Sequence, residues 1–154
     1  MVCGEEVNRK NSPRLETQEQ IKIIRWRDRC VKILPGIDLL HHISNHFKVA
    51  NEAMGTLAGI PDLCLPVPRG KYHGCYIELK PPRRGGRVLK TATEGCSSAQ
   101  ISILRKLRAR GYYASAIIGF TGSVRYLLSY YKEDKISPTA IRKALEYHDE
   151  ILLK

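Results

Sequence analysis

A chain of 154 residues supports one hydrophobic core and little beyond it, so one site on one fold is expected. Its 43% hydrophobic and 27% charged residues are those of a soluble globular protein and exclude disorder away from the ends. Lys and Arg number 26 against 15 Asp and Glu, a formal charge of +11, which implies a polyanionic partner. Nucleic acid fits best because bound cations release counterions condensed on phosphates, with ribosome-associated and membrane-surface proteins as the alternatives.

In chain order, residues 1–14 are polar and read as a loose tail without the apolar core of a signal segment. Helical spacing begins near Leu15, where Ile23, Trp26, Cys30, Ile33 and Leu34 form one apolar stripe that Pro35-Gly36 ends. Residues 37–43 suit a short strand, though His41 and His42 weaken it, and residues 44–58 suit a short helix followed by a loop. Two strand-like runs follow, Asp62 to Val67 and Gly74 to Leu79, joined by a Pro- and Gly-containing loop as in an antiparallel hairpin. The segment PPRRGGRVLKTATEG is basic, glycine-rich and expected to be mobile. Ser97 or Ser98 then opens a helix with Ile101, Leu104 and Leu107 on one face, closed by Gly111. Tyr112 to Phe120 reads as a buried strand, Gly122 to Tyr131 as a helix, and Ser137 to Leu153 as a last amphipathic helix with Pro138 in its first turn. This order predicts an α/β fold, a mixed central sheet covered by helices on both sides.

Five cysteines, odd in number and without a CxxC pair, suggest free thiols in a reducing, intracellular setting. No run approaches the roughly 18 apolar residues of a membrane span. A soluble cytoplasmic protein is expected, or a nuclear one in a eukaryotic host.

Within Gly59 to Lys80, strand alternation points Glu78 and Lys80 to one face and Leu79 to the other. Asp62 begins the preceding strand, and a hairpin brings it toward Glu78 if the register allows. Two carboxylates there repel each other unless a cation lies between them. Hard ions such as Mg²⁺ or Mn²⁺ accept two carboxylates, a backbone carbonyl such as that of Leu79, and water. Lys80 is then placed to position or deprotonate an attacking water. An alternating Glu and Lys pair is common on solvated strands, but charges ending otherwise apolar strands require a reason. If the strand end is open, these residues contribute little to packing. His42 and His46 have the spacing of a zinc pair, but a change from strand to loop between them spoils its geometry.

Gly59-Ile60-Pro61-Asp62, Ile77-Glu78-Leu79-Lys80 and Ser98-Ala99-Gln100, opening a helix that ends in Gly111-Tyr112, resemble the virus-type replication-repair nuclease (VRR-NUC) branch of the PD-(D/E)XK superfamily. The resemblance spans about residues 15 to 130. It implies a restriction-endonuclease-like core, with metal on Asp62 and Glu78, Lys80 as the catalytic lysine and Gln100 supporting the site, although Gln100 also suits a plain helix start. The family's N-terminal helix supplies a Glu followed by a Gln, matched here by Glu16 and Gln20. Glu16 and Glu19 lie seven residues before Ile23 and Trp26, so both continue the buried stripe; Glu16 is preferred and Glu19 is the fallback.

The resulting organisation is a tail (1–14), a nuclease domain (15–131) and a C-terminal helical extension (132–154) carrying no family motif. The resemblance implies a metal-dependent, structure-dependent DNA endonuclease, with branched or junction DNA as substrate, as for a Holliday junction resolvase, and a homodimer presenting two sites. The contrasting expectation is a basic architectural module without catalysis; a nuclease acting on RNA would leave the site unchanged. Arg69, Lys71, His73, Arg83, Arg84, Arg87 and Lys90 are the candidate phosphate contacts, in the two basic loops around the second hairpin strand.

Overall fold

The computed structural model describes residues 14–44 and 53–154. A four-stranded sheet organises it, with His41–His42 (β1), Leu63–Leu65 (β2), Cys75–Lys80 (β3) and Tyr113–Ile118 (β6) in the order β1-β2-β3-β6. β2 pairs antiparallel with β1 and β3, whereas β3 and β6 are parallel. A parallel pair requires a crossover, and the helix α2 (Ser98–Ala109) supplies it. The remaining helices are α1 (Leu15–Cys30), α3 (Gly119–Tyr131) and α4 (Pro138–Leu152). Arg83–Arg84 (β4) and Arg87–Val88 (β5) form a separate antiparallel hairpin.

Strand alternation separates the core from the chemistry. Cys75, Ile77 and Leu79 of β3, with Leu63 and Leu65 of β2, join a core completed by Ile23 and Trp26 of α1 and Phe120, Val124 and Leu127 of α3. Glu78 and Lys80 point the other way, where the start of α2 covers them through Gln100. The sheet therefore lies between helices. None of the described helices is long and apolar enough to cross a membrane.

α4 belongs to the same packing unit. Ala144 is fully buried in the core, and its carbonyl accepts a 2.8 Å hydrogen bond from the indole Nε1 of buried Trp26. Arg29 pairs with Glu150 along the same seam. A division after Tyr131 thus separates the motif-bearing part of the sequence from the rest, while packing runs across it.

Several expectations change in the structure. α1 stops at Cys30; Leu34 stays buried because a turn, with its N–H 2.8 Å from the Cys30 carbonyl, keeps it on the stripe. The run 37–43 divides into a 3₁₀ turn, Ile37–Leu39, and β1, whose exposed position accommodates both histidines. Most of the helix expected over 44–58, with His46, lies outside the described residues. β6 ends at Ile118 because Gly119, at φ 66°, turns the chain into α3. Of β6 only Ala114 is buried, and the other residues are half-buried. The basic segment after Lys80 has regular structure, the β4–β5 hairpin and a 3₁₀ turn at Ala92–Gly95, because Gly85 and Gly86 supply the positive φ a tight hairpin turn needs.

Candidate active site

The register of β2 and β3 pairs Leu63 with Ile77 and Cys64 with Tyr76. One step further along, the same register sets Asp62 across from Glu78, and opposed residues share a face. β1 holds the Asp62 backbone from the other side: its carbonyl accepts from Ile43 N–H at 2.8 Å and lies 3.0 Å from His42 Nδ1. Gly59 fixes the approach. At φ 81° it lies so close to α2 that a Cβ would fall 2.6 Å from the Ala99 carbonyl carbon, so glycine lets the loop before Asp62 rest on the start of that helix.

A hydrogen-bonded network joins these elements. Asp62 Oδ2 accepts from Leu79 N–H at 2.7 Å. Lys80 Nζ donates to Glu78 Oε1 at 2.7 Å and to Gln100 Oε1 at 3.1 Å, and Gln100 Nε2 donates to Glu78 Oε1 at 2.5 Å. The α2 terminus aims Gln100: Ser97 Oγ accepts from Gln100 N–H at 3.2 Å, while Gln100 Oε1 accepts from Ser97 N–H at 2.9 Å. One side chain therefore both starts the helix and supports the site.

These charges are not at an open strand end. Glu78 is 1% exposed, Lys80 7% and Asp62 9%. The neighbouring strand and α2 close over them, which corrects the expectation that they add little to packing. Burial, then the neighbouring Asp62 charge, push the Glu78 carboxyl up to about 7, with Lys80 opposing and Glu16 reinforcing the rise. Its Oε2 is buried without a hydrogen-bond partner among the described residues. A buried unpaired carboxylate oxygen is costly unless a cation completes it, and an all-oxygen set of Asp62, Glu78 and the Leu79 carbonyl suits Mg²⁺ or Mn²⁺. No three His, Cys, Asp or Glu side chains converge as a metal cluster among the described residues. A cation here would thus rest on two carboxylates, backbone oxygen and water.

The two α1 glutamates have different surroundings. Burial raises the Glu16 carboxyl, Asp62 raises it further, and Lys80, Arg14 and Arg84 lower it, so Glu16 shares the field of the site. Glu19 serves the fold instead. Its Oε2 accepts from Phe120 N–H at 2.7 Å, placing a carboxylate on the positive end of α3, and Lys22 neutralises its other oxygen at 2.7 Å. A Cβ at Gly119 would sit 3.0 Å from that oxygen.

A cleft of about 590 Å³ opens above Lys80, walled by Arg14, Glu16, Arg83, Arg84, Ser97 and Gln100. Arg84 is steadied by the Gly95 carbonyl at 3.3 Å and Arg87 by Glu94 at 3.5 Å. The backbone N–H of Lys90 reaches Glu94 at 3.4 Å. Arg14 had no periodic signal to find it, since it borders the polar tail.

Arg69, Lys71 and His73 lie elsewhere, a correction to their expected place beside the site. They precede β3, and Lys80 ends it, so roughly 20 Å separates them at about 3.3 Å per residue. Arg69 is a structural clamp: its guanidinium lies 3.8 Å over the Tyr131 ring, bonds the Pro35 carbonyl and reaches Asp134 at 3.4 Å. Lys71 lies 5.3 Å over the Tyr72 ring, and His73 packs edge-on against Tyr112 at 5.8 Å.

Comparison with known proteins agrees with this fold. A solved structure described as a VRR_NUC domain protein superimposes with a TM-score of 0.63 at 27% identity, covering 82% of this chain and 95% of its own. No protein-family model and no curated protein matches the chain. The mixed sheet, the order of the GIPD, IELK and SAQ segments in the chain, and this likeness support a VRR-NUC-like domain with a PD-(D/E)XK-type fold.

Proposed function

We propose that this nuclease-family domain is a metal-dependent DNA endonuclease that selects its substrate by structure. One observation carries the reading: the unpartnered Oε2 of buried Glu78, across from Asp62, in a carboxylate whose other oxygen is bonded to Lys80, a residue that lines an arginine-walled cleft. Asp62, Glu78 and the Leu79 carbonyl would hold Mg²⁺ or Mn²⁺. When bound, the ion supplies activation of water and stabilisation of charge on the phosphoryl oxygens.

The chain's own residues do the remainder. Gln100 and Glu78 hold the Lys80 ammonium in one place, so a positive charge stands ready to orient the attacking water and its developing hydroxide. Burial keeps bulk water from screening that charge. Arg14, Arg83 and Arg84 grip phosphates flanking the bond that breaks. Hydrolysis adds water across one P–O bond, leaving a phosphate monoester on one end and a hydroxyl on the other. A single small domain offers little surface for reading a long sequence, so backbone and shape contacts dominate. A twofold dimer would present two such sites to a branched substrate.

The test is incubation of purified protein with duplex, flap and four-way-junction DNA in Mg²⁺, Mn²⁺ or EDTA. Cleavage of branched DNA that requires a divalent ion is expected. Tight binding with no cleavage in either metal would replace the enzyme with an architectural DNA binder.

A further inference from the structure

The positive charge of the chain is unevenly placed. From Gly95 to Lys132 the sequence contains no Asp or Glu, yet it holds Arg105, Lys106, Arg108, Arg110, Arg125 and Lys132. Four of these lie on α2 or at its end.

α2 begins at the site, where Ser97 and Gln100 line the cleft, and as the crossover between parallel β3 and β6 it runs back along the sheet to the far end of β3, where the Gly111 carbonyl accepts from His73 N–H at 3.0 Å. Ile103 and Leu104 are buried against the sheet, while Ser102, Arg105, Lys106 and Ala109 are exposed. Arg108 is held to the sheet by a 2.6 Å bond to the Ala114 carbonyl. The side chains of Arg105, Lys106 and Arg110 have no hydrogen bond, ion pair or ring contact among the described residues. Lys106 and Arg110, four apart, repel each other. The C-terminal dipole favours cations in the last turn, but Arg105 lies before it. α4 shows the usual alternative, with Lys143 paired to Glu146 at 2.9 Å.

We propose that the outer face of α2 is a track for the DNA backbone, carrying one strand away from the cleft with Arg105, Lys106 and Arg110 on successive phosphates. The proposal rests on the nuclease reading only for which end of the track meets the reacting bond. Gln100 to Arg110 spans about 15 Å of helix, which corresponds to about four phosphates of one strand at 3.4 Å along the duplex axis. Ser102 and Ala109 lack bulk, so a backbone can approach closely between the cations. A protein partner fits poorly, because none of the exposed large hydrophobic side chains lies on α2, and protein interfaces are anchored by such groups. Arg83 and Arg84 of the β4–β5 hairpin line the same cleft as Ser97 and Gln100, so both basic elements border the place where the duplex would enter.

The experiment measures binding of a labelled DNA duplex, long enough to cover cleft and helix, in EDTA over a range of salt. Wild type is compared with Arg105→Ala/Lys106→Ala/Arg110→Ala and with Arg142→Ala/Lys143→Ala on α4, and melting curves verify that each variant folds. The α2 variant should flatten the log affinity versus log salt slope by about one unit per lost contact and weaken binding about tenfold or more, while the α4 variant leaves the slope unchanged. A folded α2 variant with the wild-type slope, or one no weaker than the α4 variant, overturns the track. If the slope flattens but wild type never cuts DNA, the track stands and the nuclease reading fails; if cutting persists with an unaltered slope, the reverse holds. Should the triple variant not fold, Arg105→Ala alone gives the same comparison, with a loss of about one unit expected and an unchanged slope overturning the proposal.

Discussion

Two basic loops flank β3, and in the sequence they look alike. Residues 66–74 carry Arg69, Lys71 and His73; residues 81–95 carry Arg83, Arg84, Arg87 and Lys90. In the fold they lie at opposite ends of the strand and have opposite occupations. Arg69 is consumed by the Tyr131 ring, the Pro35 carbonyl and Asp134, whereas Arg83 and Arg84 line the cleft above Lys80. The difference shows that a cation's availability to a substrate is set by which elements fold back onto it.

Substitution sharpens the contrast, beginning with the strand end that both loops frame. Lys80→Ala should lower DNA cleavage by about 10²-fold or more while leaving DNA binding intact. Because Glu78 then loses its buried counterion, the melting temperature should also fall unless metal is present. A variant that cuts like wild type would remove Lys80 from the chemistry. Arg69→Ala should destabilise the fold by about 1–3 kcal/mol without altering the salt dependence of DNA binding. Arg83→Ala/Arg84→Ala should do the reverse: a slope flatter by about one unit per contact, with stability within about 0.5 kcal/mol of wild type. Exchange of these two outcomes would reverse the assignment of the loops.

The same logic divides the α1 glutamates. Glu19→Gln should cost about 1 kcal/mol in chemical denaturation, because it removes the carboxylate on the α3 terminus. Glu16→Gln should leave stability nearly unchanged and slow cleavage.

The smallest expected effect is on pH dependence. The folded-state value of Glu78 is raised from 4.5 to about 7, so its contribution to metal-free stability is complete below 4.5 and is lost as pH rises through about 7. Mg²⁺ should offset that loss, so its shift of the melting temperature should grow from pH 5 to pH 8. A shift that does not vary with pH would separate Glu78 from the metal.

Much of the site was legible because strand alternation is local. Glu78 and Lys80 share a face by period alone, and Ser97 with Gln100 reads as a helix start before the helix is seen. Other features depended on long-range packing. Glu16 and Glu19 continue the same apolar stripe, and only the start of α3, a hundred residues later, decides which is taken up by the fold. Arg69 could not be told from Arg83 without the Tyr131 ring beneath it. The burial of the charged strand end was also hidden, because it comes from Gly59 and α2 closing over the site. His41 and His42 weaken a strand by composition, yet pairing with β2 makes one.

The central claim is that Glu78 belongs to a metal-dependent cutting site, and its most direct test is single-turnover cleavage of four-way-junction DNA by wild type and Glu78→Gln, titrated with Mn²⁺. The account predicts metal-dependent cleavage by wild type, abolished by EDTA and reduced by about 10²-fold or more in the variant, with both proteins binding the junction equally. Equal metal-dependent cleavage by the two proteins, with a contaminating nuclease excluded, would contradict it.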